Sequence, residues 1–424
     1  MSTLAGLPGF RDFYPAELAV RAHIMNAWRL AATRHGFEEY DGPPLEALEL
    51  YTGKSGEEIV SQLYHFEDKG GRHVALRPEM TPSLARMVAA RASALRKPVR
   101  WFCMPQLFRY ERTQRGRLRE HYQWNVDILG EEDVGADAEV LATGLDALAL
   151  LGLGPEHVVA KFNDRRLLEC LLAHAGVGAE QMTTTYAAVD KLAREPVQRI
   201  RERLVESGLA PQVAAAVLAL FQARGLDPLR AVYGGVPGLD AELERLDAYQ
   251  RHLTDLGHGR TIAFDLTIVR GLAYYTGTVF EIFDRAGELR AICGGGRYDR
   301  LLGAVGGPDM PAVGFGMGDV VLRELLEERK LLPATRPHVD YFIVAVTDEQ
   351  RELQRRIATR LRSAGHSAVY AFRVQSVGRQ FKEADARGAA RTLVLGPDEV
   401  RDGVALVRVM ATGEESRVPL SELL

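Results

Sequence analysis

The chain has 424 residues, 46% of them hydrophobic and 26% charged, with a formal net charge of -4. This is ordinary globular composition spread over roughly two to three core units, and the charge balance points to no polybasic nucleic-acid binder while leaving room for a local basic patch. Three scattered cysteines (Cys103, Cys170, Cys293) make no zinc or disulfide spacing, the N-terminus lacks a signal-peptide pattern, and the most apolar run, "AEVLATGLDALALLGLG", is interrupted by Glu139 and Asp146, so a cytoplasmic protein without a membrane span is expected.

The first predicted element is a helix from Pro15 to about His35, with Leu18, Ala22, Met25, Trp28 and Ala31 at helical spacing. "GFEEYDGPPLEALELY" predicts a short strand stopped at Pro43 and Pro44. "QLYHFEDKGGRHVALRP" predicts a hairpin turning at Gly70-Gly71, "SLARMVAARASALR" a helix, and "VRWFCMPQLFRYER" a strand. A Gly-containing basic loop and a second strand, "HYQWNVDILG", follow. From about Asn163 to Gly257 the chain becomes Ala-, Leu- and Arg-rich with helical spacing, which predicts a helical insertion. Strand character returns in "TIAFDLTIVRGLAYYTGTVFEIFD", and two Gly-rich strand-to-helix passages follow it. "RKLLPATRPH" reads as a linker, and the alternating strands and helices after it predict an α/β unit of about ninety residues.

Residues two apart on a strand share a face. "HYQWNVDILG" therefore sets His121, Gln123, Asn125 and Asp127 opposite Tyr122, Trp124, Val126 and Ile128, and the preceding strand pairs Arg109 with Glu111. Two neighbouring strands can then present Arg109, Glu111, Gln123 and Asp127 to one pocket. The competing reading is the solvated face of an antiparallel sheet. The stretch "FRYERTQRGRLREHYQ" holds five arginines, a density that suits phosphate. "LRPEMTP" sets Glu79 and Thr81 at one parity beside Arg77, and "IVRGLAYYTGTVFE" embeds Arg270 among apolar residues, next to Gly271, Tyr274 and Tyr275. "CGGGRYD" and "GFGMGD" are neither P-loops nor dinucleotide fingerprints.

Taken together and in order, these motifs resemble the histidyl-tRNA synthetase family of class II aminoacyl-tRNA synthetases. "LPGFRDFYP" resembles the family's start, "DGPPLE" the dimer-forming first class motif, and "FRYERTQRGRLREHYQ" the second motif with its loop. "IVRGLAYYTGTVFE" and "CGGGRYDRL" resemble the two histidine signatures, "PAVGFGMG" the third motif, and "VGRQFKEADARGAARTLVLGPDEV" the anticodon-binding domain.

The resemblance implies an α+β catalytic domain with a mostly antiparallel sheet flanked by helices (1–162 and 258–328), a helical insertion (163–257), a linker (329–337) and an anticodon-binding α/β domain (338–424). It implies ATP-dependent joining of histidine to tRNA(His), with Mg²⁺ accompanying ATP, in a cytoplasmic homodimer. Arg109 and Arg270 would meet the α-phosphate, Arg270 touching the substrate carboxylate as well. Glu111 and Arg115 would hold ATP. Glu79 and Thr81 would meet the substrate ammonium, and Gln123 would be a further substrate contact. Asp127, Tyr274 and Tyr275 would enclose the imidazole, and Gln114 and Arg119 would meet the tRNA acceptor end.

Two positions depart from the family pattern. Ala273 stands where "RGLDYY" has Asp, and Val321 stands where "MGLER" ends in an ATP-clamping arginine. Arg323 lies about 200° further round a helix, so Arg115 or Arg300 is the expected source of the missing charge. The alternative function is a histidine-sensing regulatory subunit of ATP phosphoribosyltransferase, a reading that the missing arginine favours and that Arg109 and the C-terminal domain oppose.

Overall fold

The computed structural model describes residues 4–52, 61–192, 195–223, 225–269, 275–334, 338–373 and 375–423. They form two compact units, one of Met1–Asp12 with Val20–Leu332 and one of Phe13–Ala19 with Pro333–Leu424.

The larger unit is organised by a nine-stranded sheet. Its strands are β1 (Glu38–Glu39), β5 (Val99–Cys103), β6 (Gln106–Phe108), β7 (Glu120–Leu129), β8 (Val158–Asp164), β9 (Ile262–Phe264), β10 (Thr278–Asp284), β11 (Cys293–Arg297) and β12 (Ala312–Gly318). A separate three-stranded sheet holds β2 (Leu45–Ala47), β3 (His65–Glu67) and β4 (His73–Leu76). The large sheet runs β1-β5-β7-β12-β11-β10-β8-β9, with β6 also paired to β7. Its pairings are antiparallel except β1 with β5 and β8 with β9.

Alternation divides this sheet into two unlike faces. Trp124, Val126, Ile128, Val313, Phe315, Met317, Phe280 and Ile282 point to one side and are buried. There they meet Ile24 and Trp28 of helix α1 (Pro15–Arg34), and also α3 (Val134–Leu150), which follows α2 (Thr81–Ala89) in the chain. Trp28 stacks on Trp124 at 5.9 Å, and Phe315 meets Trp124 edge-on at 5.1 Å. Arg297 of β11 is buried on the same side and bonds Asp137 in the first turn of α3. The two charges are buried as a hydrogen-bonded pair.

The stretch from Arg165 to Asp255 is helical as expected, with α4 (Arg165–His174), α5 (Met182–Val189), α6 (Val197–Glu206), α7 (Pro211–Leu220), α8 (Leu226–Tyr233) and α9 (Leu239–Asp255). Asp164 caps α4 by accepting from the amides of Arg166 and Leu167, and it also pairs with Arg245 of α9.

The expected strand "VRWFCMPQLFRYER" is two strands, because Pro105 falls between them and brings no N–H to a ladder. β6 ends at Phe108, so Arg109 and Glu111 lie in the connection that follows and not on a strand. The helix expected over "SLARMVAARASALR" ends at Ala89, with turns beyond it.

The smaller unit has a five-stranded sheet of order β14-β13-β15-β16-β17. Its strands are β13 (Val339–Ala345), β14 (Ala368–Tyr370), β15 (Ala389–Leu395), β16 (Val404–Val409) and β17 (Glu415–Pro419). β13, β14 and β15 are parallel. α11 (Arg351–Ser363), the helix after α10 (Asp319–Glu328), packs on Ile343, Leu393 and Leu395. α12 (Val377–Ala386) packs on Phe342, Val344 and Val394, the alternate residues of the same strands. The two helices thus cover opposite faces of an α/β sheet.

Candidate active site

The second face of the large sheet is nearly devoid of side chains at its centre. Gly314, Gly316 and Gly318 of β12 point to it, and in register beside them lie Gly296 and Gly294 of β11. Three rows cross this floor. One runs Asp127, Gly314, Gly296; the next Asn125, Gly316, Gly294, Glu281; the third begins at Gln123 and Gly318. The glycines are required, because neighbouring side chains lie over them. A Cβ on Gly314 would collide with the carboxyl of Asp127, and one on Gly316 would stand 2.7 Å from the Gln123 amide. A Cβ on Gly296 would stand 3.0 Å from the ring of Tyr275. The Asp127 carboxyl therefore lies over Gly314, and the Tyr275 ring over Gly296, in the innermost row.

A cleft of about 290 Å³ opens over the outer rows. It is lined by Arg109, Glu111, Arg117, His121, Gln123, Glu281, Arg290, Gly294, Gly316, Gly318 and Val321, among others. Arg109 is fixed at both ends: its amide donates to the Arg119 carbonyl at 2.9 Å, and its Nε donates to the Pro78 carbonyl at 2.9 Å. The second bond holds the guanidinium against the segment carrying Glu79, which is buried. Arg77 anchors that segment through the carbonyls of Gln106 and Gly42 and the carboxylate of Asp41. Thr81 begins α2.

The basic loop folds back through a Gln114–Arg117 bridge, with Gly116 at φ 70°. Arg117 pairs with Glu111 at 2.8 Å inside the cleft. Arg119 donates to the Glu111 carbonyl and stacks on Tyr110 at 4.3 Å. Gln114 is exposed. Arg115 is also exposed, and it pairs with Glu324 and Glu328 of α10. The N-terminal segment supports the edge of the cleft. The Gly9 carbonyl accepts from the amides of Arg119 and Glu120, and Arg11 bridges Glu120 at 2.6 Å and Asp319 at 2.9 Å.

Burial sets the protonation of two groups on this face. The Asp127 carboxyl is pushed up to about 7 by desolvation, against the opposing hydrogen bond from the Tyr298 hydroxyl. His121 is held down to about 3, first by burial and then by the Arg109 and Arg11 guanidiniums, so it is neutral at pH 7.

Of the residues singled out from sequence, Arg109, Glu111 and Gln123 line the cleft. Asp127 and Tyr275 lie over the inner row, and Glu79 lies behind Arg109. Arg270, Ala273 and Tyr274 lie outside the described residues. Neither Arg115 nor Arg300 enters the cleft. Arg300 lines a different cavity, of about 740 Å³, together with Arg165 and Asp299. The cations that do stand beside Val321 are Arg117 and Arg290. Sequence reasoning placed His121 on this face without giving it a role, and it missed Glu281, Tyr298 and the glycine floor. The signal for the floor was present: glycines at every second position of "GFGMG" mark a strand with one bare face.

A floor of this kind under a cation-lined cleft, on an antiparallel sheet backed by helices, fits the class II synthetase architecture expected from the motifs. The histidyl-tRNA synthetase family model matches residues 9–319, and the anticodon-binding domain model matches residues 340–424. The histidine–tRNA ligase of Opitutus terrae is 42% identical over 426 residues, spanning 100% of this chain and 98% of that protein. The chloroplastic/mitochondrial histidine–tRNA ligase of Arabidopsis thaliana is 40% identical, spanning 98% of this chain and 85% of that protein. Among solved structures, histidyl-tRNA synthetase from a Nostoc species shares the fold with a TM-score of 0.84, covering 100% of this chain and 99% of that one at 24% identity. The chain belongs to the histidyl-tRNA synthetase family.

Proposed function

We propose that this chain activates histidine with ATP and transfers it to tRNA(His). The observation that supports the reading is Arg109, fixed by the Pro78 carbonyl in a cleft over the glycine rows of the sheet face that also carries the buried Asp127 carboxyl. A fixed cation there suits a phosphate, and a buried carboxyl on the same face suits an imidazole N–H. In the first step a histidine carboxylate oxygen attacks the α-phosphorus. The bond to the bridging oxygen breaks, and pyrophosphate leaves. In the second step a terminal ribose hydroxyl of the tRNA attacks the histidyl carbonyl, AMP leaves, and the hydroxyl proton is lost. Both steps need positioning and charge cancellation more than covalent help from the protein.

Arg109, together with Arg270, holds the α-phosphate, and Arg270 also meets the substrate carboxylate. Glu111 holds ATP, with Arg117 in place of the expected Arg115. Glu79 and Thr81 receive the ammonium, and Gln123 is a further substrate contact. Asp127, Tyr274 and Tyr275 take the ring. An acidic partner for a ring N–H rejects apolar side chains of similar shape, because a buried acceptor would be left unpaired. Gln114 and Arg119 face the acceptor end of the tRNA.

Mg²⁺ fits as a companion of the ATP phosphates. Among the described residues no cluster of metal ligands exists, yet Glu111 and Glu281 line the cleft, and the ion commonly takes one or two carboxylates along with phosphate oxygens. When bound it would neutralise phosphate charge.

Residues 1–162 and 258–328 act as the catalytic domain, 163–257 as the insertion, 329–337 as the linker and 338–424 as the anticodon-binding domain. The protein works as a cytoplasmic homodimer. No described helix is long and apolar enough to cross a membrane. The regulatory-subunit alternative loses its ground, since an anticodon-binding domain is present and ligases match the full length of the chain.

The test is histidine-dependent ATP–pyrophosphate exchange, followed by charging of tRNA(His). A chain that binds histidine without supporting exchange would be a sensor and not a ligase.

A further inference from the structure

Residues 338–424 carry thirteen arginines and lysines against twelve acids, so this part of the chain is close to neutral. The charge is not spread evenly. α11 alone holds five arginines and one glutamate. Its inner side buries Gln354, Ile357, Ala358 and Leu361. Its outer side exposes Arg355, Arg356 and Arg360, which with Glu352, Thr359 and Ser363 line an open hollow of about 450 Å³.

A solvated helix face is the simplest reading of such a pattern, and two observations count against it. Among the described residues the guanidiniums of Arg355, Arg356 and Arg360 have no ion-pair or hydrogen-bond partner, although Glu352 lines the same hollow. Arg387, Arg401, Arg408 and Arg417, on the rest of the unit, each meet a carboxylate. The spacing is also unfavourable to the helix itself. Arg351 and Arg355 are four apart, as are Arg356 and Arg360, and like charges at that spacing repel.

An exposed aromatic stands beside this helix. Phe372 follows β14 and is 83% exposed. Its carbonyl accepts from Arg351 at 2.7 Å, and its ring meets Tyr370 edge-on at 5.9 Å. Arg362 of α11 lies over the Tyr370 ring at 5.7 Å. Arg351, Arg355 and Arg362 fall within about 40° of one another round the helix axis. Arg355 therefore shares the side that Arg351 and Arg362 turn toward the two rings.

We propose that the outer face of α11 and the Phe372 ring form the surface on which this unit holds the single-stranded loop of its tRNA. The arginines take backbone phosphates, and the ring stacks on an unpaired base. This rests on the tRNA-charging reading above and adds the place of contact to it. A guanidinium fork suits phosphate, an exposed aromatic suits the face of a base, and single-stranded RNA offers both groups side by side. An acidic peptide would use the arginines but not the ring. A duplex would meet the charge while keeping its bases stacked away from Phe372.

The test uses the full chain. Arg355→Gln, Arg356→Gln and Arg360→Gln together remove the charge while keeping a good helix former, and Phe372→Ala removes the ring. Kd for tRNA(His) is read by filter binding over about 50 to 200 mM salt. The triple variant should bind roughly tenfold or more weakly at the low end, and the slope of log Kd against log salt should fall by about two, as for three phosphate contacts on a single strand. Phe372→Ala should weaken binding about tenfold with the slope unchanged, as for one lost stacking contact. A minihelix that keeps only the acceptor arm should bind wild type and both variants alike. Histidine-dependent exchange, which needs no tRNA, should not change. The unfolding temperature of the triple variant should hold or rise, because like charges are removed.

An unchanged Kd and salt slope in the triple variant overturns the proposal, and an unchanged Kd in Phe372→Ala overturns the stacking. An equal loss of affinity for the minihelix overturns the assignment to the loop. A polyglutamate peptide that binds the wild type as tightly as tRNA, and is lost equally in the triple variant, overturns the choice of RNA. Wild-type protein that gives no histidine-dependent exchange would refute the functional reading itself, while the RNA contact is still read from Kd.

Discussion

Asp127 offers a test that is independent of catalysis. Its carboxyl is shifted from 3.8 to about 7 in the folded chain, chiefly by burial. A raised carboxyl means that the folded state holds a proton which the unfolded state releases, so stability is fully present below about pH 4 and is lost as pH rises through 7. At 1.36 kcal/mol per pH unit the whole window is worth roughly 4 kcal/mol, and about 2.5 kcal/mol of it falls between pH 5 and pH 8. Asp127→Asn removes the titration while keeping the shape and an acceptor for the Tyr298 hydroxyl. Urea unfolding followed by tryptophan fluorescence reports on the correct unit, because all three tryptophans, Trp28, Trp101 and Trp124, lie in the larger one. The wild type should lose about 2.5 kcal/mol more than the variant on going from pH 5 to pH 8. Parallel pH profiles for the two proteins would refute the burial argument, and with it the idea that a buried carboxyl here stands ready to ionise against an incoming ring N–H.

Arg109→Ala should lower histidine-dependent exchange on the order of 10²- to 10³-fold, as for loss of a preorganised charge contact, with tryptophan fluorescence confirming the fold. Arg115→Ala should leave KM for ATP unchanged, since its guanidinium serves Glu324 and Glu328 outside the cleft. Arg117→Ala and Arg290→Ala should each raise it; an ATP effect confined to Arg115 would reverse that assignment. Gly314→Ala puts a methyl 2.7 Å from Asp127 Cγ and 2.8 Å from the Val126 carbonyl. Overpacking of this kind costs about 1–3 kcal/mol, so the variant should unfold at lower urea and bind histidine weakly. Asp137→Ala removes the main carboxylate partner of buried Arg297, leaving Asp299 at 3.4 Å and the Glu131 and Asp133 carbonyls, and should cost up to about 3–5 kcal/mol by the same unfolding assay, whereas replacing both partners with apolar residues should cost far less.

What was legible in the sequence follows from what periodicity encodes. The alternation of "HYQWNVDILG" placed Gln123, Asn125 and Asp127 on one face because a strand at the centre of a sheet must send alternate residues apart. It could not say that Gln123 faces a cleft while Asp127 is buried under Tyr298, since that depends on which strands lie alongside and on how α2 closes one end. The pairing of Arg109 with Glu111 by strand parity put the two in one cleft, which they do share, but by the wrong geometry. β6 stops at Phe108, and both side chains are aimed by the loop, Arg109 through Pro78 and Glu111 through Arg117. Arginine density in the loop likewise could not say which of its guanidiniums enter the cleft. Arg115 turns out to α10 and Arg119 lies flat on Tyr110, and no spacing rule distinguishes those from Arg117. The partners that decide the matter, Glu324 and Glu328, are some two hundred positions away.

The valine at 321 is the departure with the most consequence, and the local packing gives it a reason. Val321 lines the cleft, and its Cγ2 would stand 3.2 Å from a Cβ at Gly116, while the Arg290 side chain reaches the same spot at 3.7 Å. The basic loop and the β10–β11 connection therefore crowd the start of α10, where an arginine at 321 would have to project. A guanidinium reaching in from Arg290 and a second from Arg117 supply positive charge at that place from the opposite side. The requirement imposed by a triphosphate is for charge at a position in space, not for a residue at a position in sequence. On the proposed function, a third-motif arginine and a pair of cations from the basic loop and the β10–β11 connection would be two solutions to it. Restoring arginine at 321 in the presence of Arg117 and Arg290 should then weaken ATP binding through like-charge crowding, whereas in an Arg290→Ala background the same substitution should recover it. Improved ATP binding by Val321→Arg in the wild-type background would show that the cleft lacks a cation there after all.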